Sequence, residues 1–178
     1  MKTKDFPDYP DLPGRYLVVG DGDAFFEPTR VDTVLGSCVA VTFHHRRLRI
    51  GATFHALLPH WRQYETELPP DRVYRYVDSA VDSICDILVG HGCNPRDLEC
   101  KIFGGAQTMC TGEMCAGRYN VQAAFEAMMA RRLRVVATDV GGDRGRKLVF
   151  FSHTGEVFVR RIKGRGDTIR CAPSRNSI

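Results

Sequence analysis

Alternating and helical runs of apolar residues divide the chain into short strands and two helices. Val39, Val41 and Phe43 alternate with Ala40 and Thr42, the two-residue period of a strand. Short apolar runs predict further strands over 16–19, 31–35, 50–58, 98–103 and 133–138. Gly20, Asp21, Gly22 and Asp23 read as a turn, and 44–47 as a polar, hairpin-like connection that puts His44 and His45 at the surface. Pro59 ends the 50–58 run. Residues 60–71, with Trp61, Tyr64, Pro69 and Pro70, read as a loop long enough to cover a binding site, with His60 and Trp61 at a pocket rim.

The clearest helix is predicted over 72–89, where Val73, Val77, Ala80, Val81, Ile84 and Leu88 form one stripe and Gly90 and Gly92 supply the stop. A second is predicted over 120–131, with Val121, Ala124, Phe125 and Met128 on one side. Between them, 106–117 reads as a polar loop holding Cys110 and Cys115. Strands over 147–151 and 156–161 form a hairpin around 153–155.

Helix, strand, helix, strand over 72–139 makes one α/β-type unit, while hairpin-connected strands elsewhere require antiparallel pairing. The expected fold is α+β: a mixed sheet or pair of sheets with helices on an outer face. Residues 1–14, rich in Pro and Asp, are expected to be an extended arm, 15–163 a single domain, and 164–178 a polar basic tail.

Composition adjusts this picture only slightly. A chain of 178 residues with 43% apolar and 26% charged residues is one ordinary globular domain, which excludes wholesale disorder. No run of apolar residues is long enough to span a membrane, and the acidic, proline-rich start lacks the apolar core of a secretion signal. The expectation is a cytoplasmic protein without membrane insertion.

The net charge of +4 is unevenly placed: from Arg144 onward nine Lys/Arg face two Asp/Glu. That half can meet an acidic surface, but no zinc-finger or RNA-recognition pattern accompanies it, so nucleic acid is not an expected partner. The seven cysteines are odd in number and include no CxxC pair, which argues against both a disulfide framework and a zinc knuckle.

Cys38 follows Gly36 and Ser37 at a loop-to-strand junction, where free backbone amides can stabilise a thiolate and receive an oxyanion. His55 sits inside an apolar run. A buried imidazole needs partners, and two readings stand side by side: a core histidine with one backbone bond, or a base for Cys38 on a neighbouring strand. Asp32 and Thr33 can each accept a hydrogen bond from that imidazole, and only one of them can face it if the strand is regular. Asp32, with its carboxylate, is the expected orienting residue. Neither HExxH nor a P-loop nor a dinucleotide fingerprint occurs, so no metal and no cofactor are expected.

Several ordered segments carry a family resemblance. Residues 33–41 (Thr-Val-Leu-Gly-Ser-Cys-Val-Ala-Val), 51–59 (Gly-Ala-Thr-Phe-His-Ala-Leu-Leu-Pro), 101–106 (Lys-Ile-Phe-Gly-Gly-Ala), 117–121 (Gly-Arg-Tyr-Asn-Val) and 139–147 together resemble the chemoreceptor glutamine deamidases, the CheD family. The resemblance runs over about 15–163. It implies an α/β sandwich like the cytotoxic-necrotizing-factor type of cysteine deamidase. It also implies Cys38 as nucleophile, His55 as general base, and Gly36, Ser37 and Val39 as the backbone near the oxyanion. The family's third residue is a Thr at the position held here by Asp32, with Thr33 beside it. The implied activity is hydrolysis of glutamine side chains to glutamate in methyl-accepting chemotaxis receptors, releasing ammonia without a cofactor. A CheC-like phosphatase is the implied second partner. A non-enzymatic regulator docking on such partners is the alternative.

Overall fold

A computed structural model describes residues 11–107 and 115–162. They build a three-layer α/β/β arrangement from nine strands and two α-helices. Five strands form the central sheet. They are β2 (Gly22–Phe25), β4 (Val39–His45), β5 (Ile50–Ala56), β6 (Leu98–Gly104) and β7 (Arg134–Val140), in the order β2-β5-β4-β6-β7. A second sheet of order β1-β3-β8-β9 uses β1 (Gly14–Tyr16), β3 (Arg30–Leu35), β8 (Arg146–Phe151) and β9 (Val157–Arg161). Helices α1 (Val77–Gly90) and α2 (Ala116–Ala130) pack on the outer face of the central sheet.

The sequence explains why β4 and β5 sit in the middle. Every residue of β4 is buried, so the apolar-polar alternation there separates two interiors instead of core from water. Val39, Val41 and Phe43, with Ala52, Phe54 and Ala56 of β5, face α1 and α2. Cys38 and Ala40 face the second sheet, packing with Val31 and Leu35 of β3 and with Leu148 and Phe150 of β8. Each fully buried large aliphatic or aromatic side chain contributes about 1.5–3 kcal/mol. The smaller side chains on the second face leave room for polar groups: Thr33, Thr42, Thr53 and His55 are all buried.

The expected α+β class with mixed sheets holds. β6 and β7 are parallel across α2, as the helix-strand alternation predicts, and β1 joins β3 in parallel; the other pairs are antiparallel. The β8–β9 hairpin is as expected.

Four local expectations are corrected. The turn lies at Val19 and Gly20, closed by the Asp21 N–H on Val18 O; from Gly22 the chain is β2, held antiparallel on β5, and a Cβ on Gly22 would lie 2.4 Å from the Tyr74 ring. The first strand is Gly14–Tyr16, set by its pairing with β3. His44 and His45 end β4 and are both buried: the β8–β9 turn covers His44, whose ring would lie 2.5 Å from a Cβ on Gly155, while His45 Nδ1 accepts from the Leu48 N–H. The first helix starts at Val77 because Tyr76 is extended and bridges to Leu58, while 70–75 forms a 3₁₀ turn whose Arg75 carbonyl takes the amides of Leu57 and Leu58. Within the expected 60–71 loop, Trp61–Gln63 is a 3₁₀ turn. The greater part of the expected arm and of the 106–117 loop, and all of the basic tail, lie outside the described residues.

Candidate active site

Strand register brings Cys38, His55 and Thr33 into one interior. Ala40 lies opposite His55 in the β4–β5 ladder, and Cys38 shares Ala40's face, so Cys38 and His55 are diagonal neighbours. Such neighbours are about 7–8 Å apart at the backbone, within reach of a histidine side chain. Thr33 alternates with Val31 and Leu35 on β3 and points into the same space from the facing sheet. All three side chains are nearly sealed from solvent, at 7%, 3% and 1% exposure.

The hydrogen-bond roles follow from counting hydrogens. Thr33 Oγ1 lies 2.9 Å from the Leu17 carbonyl oxygen and 2.9 Å from His55 Nδ1. The carbonyl can only accept, so the single hydroxyl hydrogen goes to Leu17, and Oγ1 must then accept from Nδ1–H. His55 Nε2 is consequently the nitrogen with the free lone pair. It is buried and has no hydrogen-bond partner among the described residues.

The backbone of His55 is also clamped: its N–H donates to Asp21 O, and its carbonyl accepts from Gly20 N–H, each at 2.8 Å. Burial pushes the His55 pKa below the ordinary 6.5, and the Leu17 carbonyl and the Asp21 charge pull it partly back. The imidazole is therefore neutral at pH 7.

Asp32 does not hold the imidazole. One residue along the strand, it points to the opposite face, where it accepts from Arg30 Nε at 2.8 Å and pairs with Lys147 Nζ at 3.1 Å. The preference for Asp32 is corrected here: the pleat turns it away and gives the contact to Thr33. The expectation of a stabilised thiolate is also corrected. Burial pushes the Cys38 thiol above its ordinary value, offset only in part by the residue's own backbone amide. The resting pair is a neutral thiol beside a neutral imidazole.

The loop before β4 is pinned by its carbonyls. Gly36 O accepts from Ala106 N–H and Cys38 O from Gly105 N–H, both at 2.8 Å. Among the described residues no backbone carbonyl takes the Ser37 or Cys38 amide. Val39 already lies within β4, flanked in register by Ala56 and Gly104. Gly104 has φ +111°, and a Cβ there would sit 2.1 Å from Cys38 O, so only glycine permits this approach.

Asn120 was not singled out by its chemistry, yet it reaches the site. It is fully buried on α2 and donates from Nδ2 to Ser37 O at 3.0 Å and to Leu57 O at 2.9 Å. The signal available in the sequence is a polar residue on a stripe otherwise made of Gly117, Ala123, Ala124 and Met128.

A cavity of about 530 Å³ is lined by Leu58, His60, Tyr64, Tyr119 and Glu126 among others, with none of Cys38, His55 and Thr33 in its lining. His60 thus lines a pocket as expected; its ring lies 3.5 Å from both Asp78 and Glu126. Trp61 does not line it: its backbone N–H donates to the Asp78 carboxylate, and the Arg62 guanidinium sits 4.4 Å over its ring. Cys85, Cys93 and Cys100 are buried free thiols, Cys115 is buried as well, and among the described residues no group of three His, Cys, Asp or Glu is placed to hold a metal. Cys110 and Cys171 lie outside the described residues.

Among the described basic residues from Arg144 onward, Arg144, Arg160 and Arg161 are exposed and one is fully buried. Arg146 is fully buried, bonded to the Asp139 side chain and to the carbonyls of Asp139 and Gly141, and Arg161 also reaches Asp139 at 2.7 Å.

Residues 57–161 match the family model described as CheD chemotactic sensory transduction. The chain is 42% identical over 156 residues to a probable chemoreceptor glutamine deamidase CheD 2 of Geobacter sulfurreducens, covering 86% of this chain and 93% of the relative. Leaving so little of the chain unaligned, that match necessarily runs through Cys38 and His55. A probable chemoreceptor glutamine deamidase CheD of Thermococcus kodakarensis is 35% identical over 131 residues, covering 72% and 80% of the two chains. Among solved structures, the Bacillus licheniformis hypothetical protein YfiH aligns with a TM-score of 0.41 at 16% identity, covering 60% of this chain and 46% of that one. With a family model spanning more than half of its length and relatives this similar over most of theirs, the chain belongs to the CheD family.

Proposed function

We propose that this protein hydrolyses glutamine side chains of chemotaxis receptors to glutamate, with Cys38 as nucleophile, His55 as general base and acid, and Thr33 as the residue that fixes the imidazole. The observation that carries this reading is the hydroxyl between Leu17 O and His55 Nδ1, which leaves Nε2 as a lone pair on the face shared with Cys38. The names of the relatives supply the substrate class.

His55 Nε2 takes the thiol proton as Sγ attacks the carboxamide carbon, so a neutral thiol needs no pre-formed thiolate. The oxyanion is received by the Ser37 and Cys38 amides, which lie outside the ladder; Gly36 and Val39 frame them. Nε2–H protonates the leaving nitrogen, and ammonia departs to leave a thioester. Water, deprotonated by Nε2, attacks that thioester, and the thiol is regenerated with release of a glutamate side chain. Every proton moves through one nitrogen, so no cofactor is called for.

The receptors are the partners of this chemistry, and a CheC-like phosphatase is the second partner we carry over from the family resemblance; titrating one protein into the other by calorimetry tests it. A thiol nucleophile operates in a reducing compartment, and the cytoplasm is the one we assign. No helix among the described residues is long and apolar enough to cross a membrane. Incubating a receptor fragment with the protein and sequencing its peptides by mass spectrometry tests the reaction: Gln-to-Glu conversion at discrete positions is expected, and an unchanged fragment would refute it.

A further inference from the structure

Cys38 and His55 stand on different strands, and Cys38 precedes its own, so something must hold the sulfur at a fixed separation from the imidazole. One buried side chain spans that gap. Asn120 uses both hydrogens of Nδ2, one on the carbonyl of Ser37, the residue before Cys38, and one on that of Leu57, two residues beyond His55. The Oδ1 atom of the same amide is buried and has no donor among the described residues. Burying an acceptor unpaired is destabilising, and the small apolar neighbours on this face of α2 show that packing alone does not ask for a carboxamide. What the site gains from Asn120 is its two donors.

We propose that Asn120 is a positioning residue, whose carboxamide ties the nucleophile loop to the strand end beyond the base and thereby sets the Cys38–His55 geometry. The inference rests on the assignment of Cys38 and His55 above. Asn120 touches neither reacting atom and acts through two backbone carbonyls. The helix that carries it is itself indexed to the same loop: a Cβ on Gly117 would lie 2.6 Å from Gly105 O, and Gly105 N–H holds Cys38 O. The helix, the Gly104–Ala106 segment and the nucleophile loop are therefore packed and hydrogen-bonded in series.

The test compares Asn120→Ala, which loses both donors, with Asn120→Ser, whose hydroxyl can donate one. Three quantities are read: the melting midpoint, kcat and KM on a receptor fragment, and the pH profile of Cys38 alkylation by iodoacetamide, followed on the Cys38 peptide. The expected result in folded protein is a kcat lowered roughly 10²-fold in Asn120→Ala, the scale of an ångström of misplacement. KM should change little, and Asn120→Ser should lie between. Cys38 alkylation should slow and lose its dependence on the His55 titration, because the imidazole no longer meets the sulfur. Unchanged kcat and an unchanged alkylation profile would overturn the proposal. So would a rate loss matched by the loss of folded protein, or failure of both variants to fold, since either makes the role purely structural. Activity retained in Cys38→Ala would sink the nucleophile assignment instead, while the alkylation profiles, which need no substrate, still report on the clamp.

Discussion

At the scale of single residues, the proposed chemistry depends on a one-residue distinction. Thr33 faces His55 and Asp32 faces away. Thr33→Ala should lower kcat by about 10²-fold or more, since the imidazole loses the partner that fixes its tautomer. Asp32→Ala should keep near-wild-type turnover and change stability by about 1 kcal/mol or less, because its ion pairs with Arg30 and Lys147 are partly solvated. Parallel kinetics of the two variants on one receptor fragment decide the matter, and a crippled Asp32→Ala beside an intact Thr33→Ala would reverse the assignment. Both candidates were legible in the sequence as hydrogen-bond acceptors near Cys38. The choice between them was not, because it depends on which face of β3 meets the second sheet, and that phase is set by Val31 and Leu35 packing against β8.

At the scale of elements, the site is assembled by close backbone approaches. The nucleophile loop lies against the end of β6, where Gly104 allows contact with Cys38 O. Gly104→Ala should therefore cost about 1–3 kcal/mol, the range for a side chain forced into a left-handed conformation, before any displacement of the loop is added. Urea unfolding of the variant measures this, and wild-type stability would show that the loop relaxes freely.

Apolar periodicity located the two α-helices and seven of the nine strands to within a few residues. It failed where tertiary pairing overrides local signals. Gly22 and Asp23 look like turn residues, yet β5 recruits them as an edge strand. His44, at the end of β4, looks like a surface residue, yet the β8–β9 turn roofs it. The role of Asn120 has no local signature, because its partners are carbonyls 83 and 63 residues away.

At the scale of the whole molecule, buried titratable groups set the pH range of stability. His44 and His55 both have pKa values lowered by burial. The unfolded chain binds protons on them first as pH falls below about 6.5, so stability is fully present above that value and drops on acidification. Burial raises the thiols of Cys38, Cys85 and Cys93, and pushes Cys100 up to about 12. The unfolded chain releases those protons first, so stability should fall again as pH rises past about 9. Melting midpoints across this range should trace a plateau between the two limits, and a midpoint still rising above pH 9 would contradict the burial of the thiols. The acid side of kcat/KM should follow the same His55, with an apparent pKa below 6.5.

The central claim is that one buried thiol, activated by a neutral imidazole, hydrolyses receptor glutamines. It is tested most directly by mass spectrometry of a receptor fragment incubated in parallel with the wild-type protein and with Cys38→Ala. Cys38 is a small side chain at a loop junction, so the variant should fold with a melting midpoint close to that of the wild type. The prediction is Gln-to-Glu conversion with ammonia release by the wild type and none above background by the variant. Conversion at a comparable rate by Cys38→Ala, or none by the wild type, would contradict the account.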